Sequence, residues 1–144
     1  MTDKIAQLNE LIEVTRDGQR FYDHAIEQVE DERLRSIWRD MAQAKSQVIR
    51  ALTAVVAANQ ESPATGGTVI GKLRQVYADT RATLSSDEGA TYVAQLEEAE
   101  DRILQAFEEA LECAEPDVRA VLIAEMPKIR ACHERMRALK HANP

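Results

Sequence analysis

The chain has 144 residues and a mass of 16.1 kDa, which is one domain's worth of polypeptide and enough to bury a core without disulfides or a structural metal. Five glycines and four prolines are too few for a loop-rich all-β fold, a collagen or a low-complexity chain. A net charge of −7 with only 4% aromatic residues argues against a nucleic-acid partner or an anionic membrane, which need a basic face or stacking platforms.

Residues 4–29 place Ile5, Leu8, Leu11, Ile12, Thr15, Gly18, Tyr22, Ile26 and Val29 at steps of three and four. That spacing predicts an amphipathic helix. Asp31 is a fair N-cap for the next one. Residues 32–58 repeat the pattern through Leu34, Ile37, Trp38, Met41, Ala44, Val48, Leu52, Val55 and Val56, and the helix stops near Asn59. Residues 60–67 have loop composition. A shorter helix follows, with Val69, Ile70, Leu73, Val76, Tyr77, Thr80 and Leu84 on one face. Ser85 and Glu88 read as a capping box for a helix over about 87–113, whose inward residues include Tyr92, Leu96, Ile103 and Phe107. Pro116 suits the first turn of a last helix, which carries Val118, Leu122, Met126, Ile129, Cys132, Met136 and Leu139. No segment alternates with period two, so no strands are expected.

Charge follows the same order. Residues 3–32 are acidic, 33–58 basic, 87–117 acidic and 118–141 basic. Each short turn therefore joins a negative helix to a positive one, which favours two antiparallel hairpins. The crossover between them, about 60–86, carries a helix spanning about 24 Å and makes the second and third long helices parallel. The expected fold is all-α, one domain over 1–144: a four-helix bundle of two antiparallel hairpins, with a short fifth helix in the long crossover, as in ferritin-like bundles.

The N-terminal residues show no basic-then-apolar leader, and no window reaches the length of a membrane span. Cys113 and Cys132 make no disulfide framework and read as free buried thiols of a cytoplasmic protein.

The chain resembles the ferritin-like bacterial four-helix-bundle proteins grouped as domain of unknown function 2383. The resemblance rests on Leu8-Asn9-Glu10-Leu11-Ile12-Glu13, Asp17-Gly18 and Tyr22 with Ala25 and Glu27. It continues through Glu97, Glu100-Asp101 and Ala110-Leu111, then Asp117-Val118-Arg119 and His133 with Arg135. It covers nearly all of the chain. It implies a ferritin-like bundle and says little about activity.

A di-iron centre in such a bundle needs Glu-x-x-His pairs on facing helices. The sequence has none: Arg130, Phe21 and Ala138 stand three residues before His133, His24 and His141. The nearest analogue, Asp40-x-x-Gln43, lacks the imidazole, and Gln19 stands where the family often has Glu. Four polar residues nevertheless fall on the apolar seams near mid-helix: Gln19, Lys45, Glu100 and His133. One reading is a metal site for iron or zinc using Glu97, Glu100 and His133. The other is a buried hydrogen-bonded layer in which Lys45 and Glu100 neutralise each other and fix the register. The second is favoured, with no cofactor. Trp38 and Tyr77 are expected to anchor the crossover helix, Pro127 to kink the last helix, and the cluster Glu97-Glu98-Glu100-Asp101 to be mostly a solvated face. No nucleophile–base pair, phosphate-binding glycine loop or redox cysteine pair is present. The functional expectation is a non-enzymatic bundle, structural, stress-associated or partner-binding, and able to dimerise through a helix face. The alternative is a metal-binding bundle with unusual ligands.

Overall fold

The three-and-four spacing folds into four long helices, α1 (Thr2–Gln28), α2 (Glu32–Ala58), α3 (Glu88–Glu112) and α4 (Pro116–Ala142). The computed structural model describes residues 2–59 and 88–142. The crossover helix, Tyr77, the loop at 60–67 and the Ser85 cap lie outside the described residues. Among the described residues there is no strand, and no helix is long and apolar enough to cross a membrane.

The helix ends are closed by the residues the sequence offers. The Asp31 carboxylate accepts from the backbone N–H of Arg33 and Leu34 at 2.9 and 3.3 Å. It satisfies two of the donors that a helix start leaves orphaned. Asn59 donates from its side chain to the Val55 carbonyl at 2.8 Å. Pro116 opens α4, and Pro127 sits exposed inside it while the helix runs on to Ala142. The carbonyl of Ile123, which loses its amide partner to Pro127, belongs to a residue that is itself 54% exposed.

Short turns at 29–31 and 113–115 make α1/α2 and α3/α4 antiparallel hairpins. α1 also packs on α3, and α2 on α4, so α1/α4 and α2/α3 are the diagonals of a square. One half of the core joins Tyr22, Trp38, Tyr92 and Met136. The other joins Leu8, Leu52, Phe107 and Leu122. Both α2 and α3 thus run from the first half towards the second and are parallel. Between Asn59 and Glu88 the chain must travel the length of the bundle, about 40 Å for a 27-residue helix.

The square also sorts charge. α1 carries six acidic and three basic residues and α3 eight and one. α2 carries two acidic and five basic residues and α4 three and six. The sequence alternates sign, but in space the two acidic helices lie side by side and so do the two basic ones.

Candidate functional site

Between the two halves of the core lies a polar layer with one residue from each helix: Tyr22 from α1, Lys45 from α2, Glu100 from α3 and Cys132 from α4. The Lys45 ammonium donates to both oxygens of the Glu100 carboxylate, at 2.8 and 2.7 Å. Both side chains have zero solvent exposure. The Tyr22 hydroxyl donates to Glu100 Oε2, and the Lys45 ammonium lies 5.7 Å from the centre of the Tyr22 ring. The pair reaches across the α2/α3 diagonal, so two long side chains fill the middle of the bundle. Isolated charges there would be very costly, and the pair is tolerated because the carboxylate is fully hydrogen-bonded. About two turns before Tyr22, the buried Thr15 hydroxyl donates to the Leu11 carbonyl of its own helix at 2.6 Å.

Gly18 lets α1 come this close. A Cβ at Gly18 would stand 2.7 Å from Ile103 Cδ1 and 3.8 Å from Lys45 Cε. Space that a larger residue would take is used by the side chain of Ile103 and the stem of Lys45.

The other sequence candidates are held elsewhere. His133 is buried at the edge of the bundle, and its Nε2 lies 3.0 Å from Asp101 Oδ1. Glu97 is half-buried and accepts from Lys140 at 3.2 Å. The structure therefore does not bring Glu97, Glu100 and His133 together; each meets a different partner. Among the described residues no three His, Cys, Asp or Glu side chains form a group that could hold a metal ion. Iron or zinc needs converging, unengaged donors. Here an ammonium occupies the central position and engages the nearest carboxylate, so the residues do not fit either metal. Gln19 is half-buried and Gly18 is buried, so the seam of α1 passes through the glycine. Cys113 is exposed, contrary to the expectation of two buried thiols, because α3 ends just before it. Within the acidic cluster Glu98 and Asp101 are exposed as expected, whereas Glu100 points inward.

Sequence reasoning missed the roles of Tyr22 and Cys132, both read as plain core residues. For Cys132 the missed signal is its level, near the middle of its helix as Lys45 and Glu100 are in theirs; Tyr22 stands nearer the C-terminal end of α1, and its hydroxyl reaches Glu100 from there. Burial, then the Glu100 charge and the hydrogen bond to it, hold the Tyr22 hydroxyl well above its ordinary pKa of 10.0. Burial likewise pushes the Cys132 thiol up, with the nearby Lys45 charge opposing.

The folded chain thus keeps the Tyr22 proton to higher pH than the unfolded chain does. Its contribution is complete below the unfolded pKa and is lost as pH rises above it, by up to about 1.4 kcal/mol per pH unit. Urea midpoints measured from pH 9 upwards (roughly the onset of tyrosine ionisation) should fall less steeply in Tyr22→Phe than in the wild type. Equal slopes would mean that Tyr22 ionises as freely as in the unfolded chain.

A second feature lies on the outside. α1 and α3 together line an open surface groove of about 360 Å³. Leu11, Val14, Phe21 and Ala106 line it, with Glu10, Asp17, Arg102 and Glu109 also on its walls. Gly18 and Ile103 belong to it as well, and their contact stands between the groove and the Lys45 side chain.

The family model described as domain of unknown function (DUF2383) matches residues 3–113. The match takes in α1, α2 and α3 and ends at the turn before α4. No curated protein and no solved structure matches the chain significantly.

Proposed function

The chain belongs to the family described as domain of unknown function (DUF2383), and from that premise we propose that it is a non-enzymatic, ferritin-like bundle acting through its surface. On this reading it is a structural, stress-associated or partner-binding protein of the cytoplasm, with a fifth helix over about 69–84 in its crossover. The observation that carries the reading is the middle layer. Where an interior site would need open donors, the Lys45 ammonium and the Glu100 carboxylate satisfy each other with no exposure. In that layer the Glu100 carboxylate already accepts from Lys45 and Tyr22, which leaves it engaged by an ammonium where a cation would have to bind. Elemental analysis of protein purified without chelator, and again after anaerobic Fe(II) addition and dialysis, tests it. The expected result is far less than one metal per chain. Stoichiometric retained metal, lost on Glu100→Ala or His133→Ala, would replace this reading with the metal-binding one.

A further inference from the structure

We propose that the groove between α1 and α3 receives the exposed face of α4 from a second copy of this chain. The inference deepens the surface-acting reading by naming the partner, and it rests on that reading. It starts from Ile123, the large apolar side chain left exposed among the described residues, at 54%. Its own chain leaves it uncovered. Ala120, Ala124, Pro127 and Ala131 are exposed too, and three-and-four spacing lines them up with Ile123 as one ridge. On the helical repeat, Arg119 and Arg130 follow one edge of the ridge and Lys128 the other.

The groove complements the ridge in shape and charge. Leu11, Val14 and Ala106 give it an apolar lining, and on its walls Glu10, Asp17 and Glu109 outnumber Arg102. Its α3 wall runs from Ala99 to Ala110 and the ridge from Ala120 to Ala131, so each is about 16 Å long. Charge then selects how two copies meet. The α1/α3 side carries fourteen acidic and four basic residues, and the α2/α4 side five and eleven. Either side laid on its own copy would set like charges together. Ridge into groove sets basic edges on acidic walls and covers Ile123 with apolar side chains.

Sedimentation equilibrium of the full chain under reducing conditions, from about 10 µM to about 1 mM, tests it. The wild type should gain mass with concentration, and about 0.5 M salt should weaken the association severalfold. Ile123→Glu and Ala106→Lys should each stay monomeric where the wild type associates. Mixed in equal amounts they should associate again, since one supplies an intact groove and the other an intact ridge. Circular dichroism and melting temperature identify folded variants, and Glu109→Lys, at an exposed position, repeats the groove arm if Ala106→Lys melts early. A wild type that stays monomeric throughout, its groove left to another occupant, would overturn the inference. So would association that survives either variant, or a mixture that stays monomeric. The surface-acting reading is decided separately, by the metal analysis.

Discussion

Lys45→Met is expected to lower the free energy of unfolding by about 3–5 kcal/mol, because it leaves the Glu100 carboxylate charged and buried without its cation. The methionine fills much of the same volume, so packing loss is a small part of the effect. What is lost is the pair of hydrogen bonds at 2.8 and 2.7 Å to a carboxylate with no exposure. The triple variant Lys45→Met, Glu100→Leu, Tyr22→Phe removes every polar member of this hydrogen-bonded unit. It should come back to within about 1 kcal/mol of the wild type or exceed it, as apolar replacement of buried ion pairs often does. Urea denaturation of the single and triple variants measures both. A loss below about 1 kcal/mol in the single variant would mean that water reaches the pair.

Trp38→Ala is the second large effect, about 3–5 kcal/mol, seen as a drop in melting temperature of roughly 10–15 °C for a chain of this size. Trp38 is fully buried and packs edge-on against Tyr92, with ring centroids 6.5 Å apart. It joins α2 to α3 in one half of the core, so the cavity would lie between the hairpins, where neither can close it alone. The indole Nε1 is buried without a hydrogen-bond partner. Trp38→Phe sheds that donor along with the second ring and should therefore cost less, about 1–2 kcal/mol. Equal losses for Ala and Phe would assign an energetic role to the indole nitrogen that its surroundings do not supply.

The helices were legible because three-and-four periodicity and the Asp31, Asn59 and Pro116 boundary residues agree with each other. The antiparallel hairpins and the parallel α2 and α3 were legible from short turns and one long connection. The Lys45–Glu100 pair was legible too, since each interrupts an apolar seam at mid-helix. Less could be read about sidedness at a seam's edge. Gln19 and Gly18 are adjacent, so a small rotation decides which one faces the core, and the close approach of Ile103 decides for the glycine. His133 and Glu97 sit at seam edges where helices meet in pairs, and each finds a charge on the neighbouring helix, Asp101 and Lys140. Single-helix patterns carry no such cross-helix information. The side-by-side placement of like-charged helices was hidden for the same reason: alternation along the chain does not say which diagonal each helix takes.

The diagonal position of the ion pair bears on kinetics. Each hairpin closes through a short turn, so its contacts can form early from nearby parts of the chain. Lys45 and Glu100 belong to different hairpins, and they meet only when the two halves dock. Interactions made after the rate-limiting step govern how fast the native state is lost more than how fast it is reached. On that ordering, the central pair sets the lifetime of the folded bundle.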